Sequence, residues 1–294
     1  MDWKTKRVAA ILEQALIEDH ATSDATTWLT LDAKLPVSAT ILAKQDCILA
    51  GWEVIPRTLE AFRRLDQSSS RRFEVVHHPE IFDGVRVRKG QAIAVIRGDA
   101  RTILACERVT LNLLQRMCGI ATETRKYVDA VAGTGAVILD TRKTVPGLRL
   151  LDKYAVSCGG GQNHRMDLAD GVLIKNNHIS LGGGVATVLA SALKHRKPGQ
   201  KIQVEVRTMA ELEEALESGA DSLLFDNMSP AETKKAVHVA RKRDRRIPIE
   251  ASGGVTLETV RKYAQTGVNF ISVGALTHSV TAIDLSMRIT AEIF

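Results

Sequence analysis

From about residue 135 onward, short apolar runs alternate with helical patterns, and six of them head successive units: VILDTRK, VLIKNNH, IQVEVR, SLLFDN, IPIEASGG and FISVGA. A strand that is apolar along its whole length must be covered on both faces, and a helix between each strand and the next makes the strands parallel. The helices carry their own end signals. Thr208 with Glu211, and Ser229 followed by Pro230 and Glu232, have the form of capped N-termini, while Gly219 and Gly267 fit C-terminal positions. Spacings of about 20 to 35 residues between strands suit either an open doubly wound sheet or a barrel, and both place ligands at the carboxyl ends of strands.

The chain before this region has a different texture. β-like stretches at Ala39 to Ala43, Arg72 to Val76 and Ala92 to Ile96 surround an apolar helix from Trp52 to Leu65, the mixture expected of an α+β domain. QSSSRR, from Gln67 to Arg72, reads as a surface loop. DGVRVRKGQAIAVIRG, from Asp83 to Gly98, looks like the hairpin of a lipoyl-type module but lacks a lysine at a turn tip for acylation, so its role is read as structural. TAIDLSMRIT, beginning at Thr281, predicts a strand that returns to the first domain. The expected division is an N-terminal α+β domain over residues 1–115, a barrel over 116–277, and a tail over 278–294 that packs back on the first domain.

Composition excludes more than it selects. With 294 residues, 45% hydrophobic and 25% charged, the chain can bury one large core or two moderate ones. Its net charge of +6 suits an anionic partner without choosing among metabolite, nucleic acid and membrane. No apolar run approaches the roughly 20 residues of a membrane span, and the first 20 residues read as an amphipathic helix rather than a signal peptide. Cys47, Cys106, Cys118 and Cys158 are scattered without the spacing of a zinc or redox motif. A soluble, cytoplasmic chain with idle thiols is expected. The basic run RKRDRR (Arg241 to Arg246) closes a predicted helix, where cations favour the dipole, and 4% aromatic residues are too few for base-stacking platforms. Nucleic-acid binding is therefore the weaker reading.

The six strands all finish in residues capable of chemistry: Arg142 and Lys143, Lys175, Glu205, Asp226, Ser252 with Gly253 and Gly254, and Gly274. A single charge at a strand end is more often a solvated or salt-bridged group. Six in succession at one end point to a site. SGGVT and VGALTHS each offer backbone N–H groups next to a helix start, the usual phosphate site of a barrel, where glycine permits close approach. Arg142 and Lys143 lead into a Pro-Gly loop, and three glycines in SCGGGQNHRMDLAD present His164 and Arg165. Guanidinium groups match carboxylates bidentately, whereas lysine is a point charge suited to phosphate. Four cations (Arg142, Lys143, Arg165, Lys175) stand against two carboxylates (Glu205, Asp226), so the ligand is expected to be anionic but partly hydroxylated or metal-bound. The carboxylates hold either ribose hydroxyls or Mg²⁺.

DTRKTVPGLR, GGGQNHRMDLADGVLIKNNH, VEVRT, LFDNMSP, EASGGV and SVGALTHS together resemble the quinolinate phosphoribosyltransferase family, and ERVTLNLLQRMCGIAT, which contains Arg108, is similar to its inter-domain stretch. The likeness spans nearly the whole chain. It departs at LIEDHATSDATT, which lacks expected glycines, and at Cys118, where serine is expected. The resemblance implies an irregular, incomplete TIM-like α/β barrel with an N-terminal α+β sandwich-like domain, assembled as a homodimer or higher oligomer. It implies a reaction of NAD biosynthesis: quinolinate and phosphoribosyl pyrophosphate, with Mg²⁺, give nicotinate mononucleotide, pyrophosphate and carbon dioxide. Arg108 from a neighbouring subunit, Arg142, His164, Arg165 and Lys175 would face the quinolinate carboxylates. Thr141, Lys143, Glu205 and Asp226, with Ser252, Gly253, Gly254 and Val273, Gly274, Ala275, would serve the phosphoribosyl pyrophosphate; Glu205 and Asp226 would hold the metal directly or through water. Lys143, Lys175, Glu205 and Asp226 are the expected catalytic groups. The rivals are a nicotinate-using phosphoribosyltransferase without decarboxylation, and a Schiff-base aldolase acting through Lys175.

Overall fold

The computed structural model describes residues 1–32, 35–66 and 73–292; the expected Gln67 to Arg72 loop lies outside them. In chain order the strands are β1 (Pro36–Ala43), β2 (Cys47–Ile48), β3 (Glu74–Val76), β4 (Arg86–Val87), β5 (Ala92–Asp99), β6 (Val137–Leu139), β7 (Val172–Ile174), β8 (Ile202–Val206), β9 (Ser222–Asp226), β10 (Ile249–Ser252), β11 (Phe270–Ser272) and β12 (Leu285–Ala291). The helices are α1 (Lys6–Glu18), α2 (Ala25–Thr30), α3 (Val54–Leu65), α4 (Ala100–Ala130), α5 (Arg149–Cys158), α6 (Asn176–Gly182), α7 (Val185–His195), α8 (Met209–Glu217), α9 (Pro230–Arg243), α10 (Val260–Ala264) and α11 (Ala275–His278). Among the described residues, no helix is long and apolar enough to cross a membrane.

The chain divides into two compact units, residues 1–123 with 145–160 and 279–294, and residues 124–144 with 161–278. The division falls inside α4, after Glu123 rather than after residue 115. It also differs from the expected one in assigning 145–160 to the first unit. The reason lies in α5. Its buried Asp152 takes two bonds from Arg116, at 2.8 and 2.7 Å, and its Tyr154 hydroxyl donates to Asp83 at 2.6 Å. Both partners belong to the first unit.

The first unit holds an antiparallel sheet in the order β12-β1-β5-β3. Alternation along β1 buries Val37, Ala39, Ile41 and Ala43, and the pairing runs from Val37 opposite Ala291 to Ala43 opposite Leu285. The last strand of the chain thus completes the sheet begun by the first. The hairpin expected from Asp83 to Gly98 does not form: β4 pairs with β2, while β5 pairs with β1 and β3. The two halves of that stretch enter different sheets. Where the family's glycines are missing, the chain makes a 3-10 turn over Ala21–Ser23, with His20 at a left-handed φ of 49°.

The second unit contains six parallel strands in the order β6-β11-β10-β9-β8-β7. First and last strands are neighbours, as in a barrel. Closure would also need β6 beside β7, but among the described residues β6 meets on that side only an isolated parallel bridge from Leu139 to Gln162. The barrel is therefore irregular and incomplete. The predicted caps hold its turns: the Thr208 hydroxyl accepts from Glu211 N at 3.1 Å while Glu211 accepts from Thr208 N at 3.3 Å, and Ser229 pairs likewise with Glu232.

Candidate active site

Parallel register sets the strand ends along one edge. Leu139 lies opposite Ser272, Ser272 opposite Ser252, and Ser252 opposite Asp226. Val206 lies opposite Phe225 and Ile174 opposite Val204, so one residue further on Arg207 is level with Asp226 and Lys175 with Glu205. A cavity of about 400 Å³ opens at this edge. Thr141, Arg142, Lys143, His164, Arg165, Lys175, Glu205, Asp226, Ser252, Gly253, Gly254, Val273, Gly274 and Ala275 all line it. Each of these was singled out from the sequence.

Strand order sorts these groups around the rim. Arg142, Arg165 and Lys175 lie on the arc running from β6, through the 162–171 loop, to β7. Asp226, Glu205 and the glycine turns occupy the arc from β8 to β11. Burial and the positive charge of Arg142 lower the pKa of the Arg165 guanidinium, against the opposing charges of Asp167 and Asp170. The Arg165 Nη1 donates to Gly171 O at 3.0 Å, which fixes its direction.

Three further polar groups shape the site. Asp140, fully buried at the end of β6, accepts from Asn163 Nδ2 at 2.6 Å and from His164 N at 2.8 Å, tying the His-Arg turn to the strand that carries Arg142. Glu250, 3% exposed, accepts from Gln203 Nε2 at 2.8 Å and from the Ser272 hydroxyl, and its Oε2 lies 3.3 Å from His164 Nε2. His164 Nδ1 accepts from Arg165 N at 2.8 Å, so the ring proton stands on Nε2, toward Glu250. As placed, both ring nitrogens of His164 are engaged, and contact with a ligand requires one of them to let go. Glu250 adds a third carboxylate to the cavity lining. Arg207 joins Asp226 through Nε at 3.0 Å and Nη2 at 2.9 Å, and reaches Glu205 Oε1 at 3.5 Å. Sequence reading passed over all three, although a glutamate inside the apolar run IPIEAS was a visible signal.

The glycine turns have distinct reasons to be glycine. Gly253 has φ of 92°, and a Cβ there would overlap Asn227. Gly274 lies against the Lys143 stem and the His278 ring, 3.2 and 3.1 Å from where a Cβ would stand. Lys143 is anchored through its backbone: its N–H donates to the Thr141 hydroxyl at 3.0 Å and its carbonyl accepts from the Thr277 hydroxyl at 2.9 Å. No cluster of three or more His, Cys, Asp or Glu side chains able to hold a metal occurs among the described residues. The pair Glu205 and Asp226 is close enough to share one guanidinium. Two carboxylates suit Mg²⁺ when a phosphorylated ligand brings the remaining oxygens.

Arg108 is not among the residues that line the cavity. It stands on α4 in the first unit with its side chain 61% exposed, 4.0 Å from Glu107. None of the four cysteines is among the residues that line the cavity. Cys47, Cys106 and Cys118 are buried, and burial, with Asp83 nearby, pushes the Cys158 thiol up to about 12.

Fold and cavity together define a barrel protein of the kind that takes a compact, strongly anionic ligand at the carboxyl ends of its strands. The chain belongs to the quinolinate phosphoribosyl transferase family: residues 24–118 match the family's N-terminal domain and residues 120–288 its C-terminal domain. It is 41% identical to a probable nicotinate-nucleotide pyrophosphorylase (carboxylating) of Bacillus subtilis, with 95% of this chain and 92% of that protein covered. A chloroplastic nicotinate-nucleotide pyrophosphorylase (carboxylating) of Arabidopsis thaliana is 42% identical, with 98% and 84% covered. The crystal structure of NadC from Streptococcus pyogenes superimposes with a TM-score of 0.86 at 35% identity, covering 96% of this chain and 97% of that one.

Proposed function

We infer that this chain transfers the phosphoribosyl group of phosphoribosyl pyrophosphate to quinolinate with decarboxylation, giving nicotinate mononucleotide, pyrophosphate and carbon dioxide for NAD biosynthesis. The observation that carries this reading is the pairing of Arg142 with Arg165 beside Lys175, opposite the arc of Glu205, Asp226 and the glycine turns. Two guanidiniums lining the same arc of one cavity match a ligand with two neighbouring carboxylates. A ligand with one carboxylate engages fewer of these cations, which disfavours the nicotinate-using alternative. Family membership sets the Schiff-base reading of Lys175 aside.

In this reading Arg142, Arg165 and Lys175 hold the quinolinate carboxylates so that the ring nitrogen faces C1 of the ribose. Backbone amides at Ser252 to Gly254 and Val273 to Ala275 hold the 5′-phosphate, and Thr141 joins Lys143 at the phosphoribosyl pyrophosphate. The C1–O bond to pyrophosphate breaks and its electrons leave with the pyrophosphate, whose charge Lys143 answers. Glu205 and Asp226 stabilise the positive charge developing on the ribose. Glu205 and Asp226 would hold Mg²⁺, directly or through water, and it would supply charge neutralisation at the pyrophosphate. The pyridine nitrogen bonds to C1 and becomes cationic. The adjacent carboxylate then leaves as carbon dioxide, its electron pair remaining at C2 beside that charge until C2 takes a proton.

Arg108 completes the quinolinate pocket from a neighbouring subunit of a homodimer or higher homo-oligomer, and the enzyme works in the cytoplasm; sedimentation and cell fractionation test these two points. The activity is tested with quinolinate carrying a labelled 2-carboxylate. Labelled carbon dioxide and nicotinate mononucleotide should form in equal amounts, only with phosphoribosyl pyrophosphate and Mg²⁺. Mononucleotide made from nicotinate instead, without carbon dioxide, would overturn it.

A further inference from the structure

Arg207 sits where no role has been given to it. It follows β8 directly, and its position is set by the adjoining turn: its N–H donates to Glu211 Oε2 at 2.6 Å, within the Thr208–Glu211 box that opens α8. Register then puts it level with Asp226 on the next strand. Both its carboxylate partners line the cavity, whereas Arg207 does not.

The bonds at the two carboxylates fall on one oxygen of each. Asp226 Oδ2 accepts from Arg207 Nε and Nη2 and from Asn227 Nδ2 at 3.2 Å. Glu205 Oε1 accepts from Asn176 N at 3.2 Å and meets Arg207 Nη2 at 3.5 Å. The carboxylate side chains are 11% and 16% exposed, the arginine side chain 45%. An exposed arginine on one carboxylate would be an ordinary surface pair of little energetic weight. One guanidinium spanning two mostly buried carboxylates does something else: it offsets their mutual repulsion and fixes the rotation of both. Oε2 and Oδ1 are left for another cation.

We propose that Arg207 is a positioning residue, a clamp that holds Glu205 and Asp226 as a matched pair for the divalent cation bound with phosphoribosyl pyrophosphate. The proposal rests on reading those two carboxylates as the metal-facing pair. Groups that orient metal-binding side chains from behind typically contribute about 10- to 100-fold in metal affinity. The contrary arrangement, in which Arg207 blocks the pair and must leave before a cation enters, predicts the opposite sign.

The experiment is a titration of Mn²⁺ into the full-length protein with phosphoribosyl pyrophosphate and no quinolinate, following free Mn²⁺ by electron paramagnetic resonance, so that no turnover is required. Arg207→Gln should weaken Mn²⁺ binding about 10- to 100-fold. Arg207→Lys should recover only part of it, because a point charge cannot fork across two carboxylates. Quinolinate affinity of both variants should match the parent, and both should remain folded by circular dichroism. Unchanged or tighter Mn²⁺ binding in Arg207→Gln overturns the clamp, and so does full recovery in Arg207→Lys. Asp226→Asn separates the two layers. If it abolishes Mn²⁺ binding while Arg207→Gln does not weaken it, the clamp alone fails; if Mn²⁺ binding survives Asp226→Asn, the metal assignment and the clamp fail together.

Discussion

The antiparallel sheet of the first unit and the parallel sheet of the second handle polarity in opposite ways. Along β1 every second residue is apolar and buried, and among the described residues no ionisable side chain is buried in β12, β1, β5 or β3. The parallel strands are apolar on both faces, yet Glu205 and Glu250 are buried within them and Asp140 at the end of β6. Each of these carboxylates has donors: Asn176 N for Glu205, Gln203 and Ser272 for Glu250, Asn163 and His164 N for Asp140. Burying an ion costs several kcal/mol unless such donors answer it. The first sheet is thus a scaffold in the plain sense, and the second tolerates unfavourable groups where parallel strand ends converge on the cavity.

That contrast predicts a double dissociation. The largest effect should come from Lys143→Ala, which removes an exposed cation from the cavity: kcat/KM should fall about 10²- to 10³-fold, with the thermal midpoint unmoved. A comparable loss of stability would mean that this rim is structural after all. Mixing that variant with Arg108→Ala should restore part of the activity as subunits exchange, since one hybrid site then has both groups; total failure despite exchange would remove Arg108 from its neighbour's site. Ile41→Ala, in the middle of β1 and fully buried, should cost about 3 kcal/mol in a denaturant titration and leave kcat/KM of the folded enzyme as it was. Reduced catalysis in the folded fraction would break the comparison from the other side. Smallest is Thr208→Ala at the start of α8, about 1 kcal/mol from the lost cap. A rise in KM for phosphoribosyl pyrophosphate beyond that modest destabilisation would extend the site into the turn that launches Arg207.

Much of the second unit was legible in the sequence for a physical reason. A strand buried on both faces must be a short apolar run, and helices between such runs leave caps such as Thr208 with Glu211. The cations at strand ends were equally visible, because Arg142 and Lys175 interrupt apolar sequence at the same place in each unit. Hidden were the groups whose meaning depends on neighbours remote in sequence. Glu250 acquires its role from Gln203, Ser272 and His164, and Arg207 from Asp226 on the next strand. In the first unit β2 and β4 are two residues long, too short for any alternation to show, which is why Asp83 to Gly98 read as one hairpin. The assignment of 145–160 escaped because it turns on contacts with residues remote in sequence, Arg116 with Asp152 and Tyr154 with Asp83.

The pairing of β12 with β1 has a consequence for synthesis. On the ribosome β1 emerges before β5, its neighbour on one side, which follows within the next several dozen residues. Its neighbour on the other side is separated from it by the entire barrel sequence. Until residue 291 has been made, the nascent first unit carries an open strand edge, the kind of surface that recruits another chain. Translation order therefore favours a barrel that finishes before the sheet that precedes it.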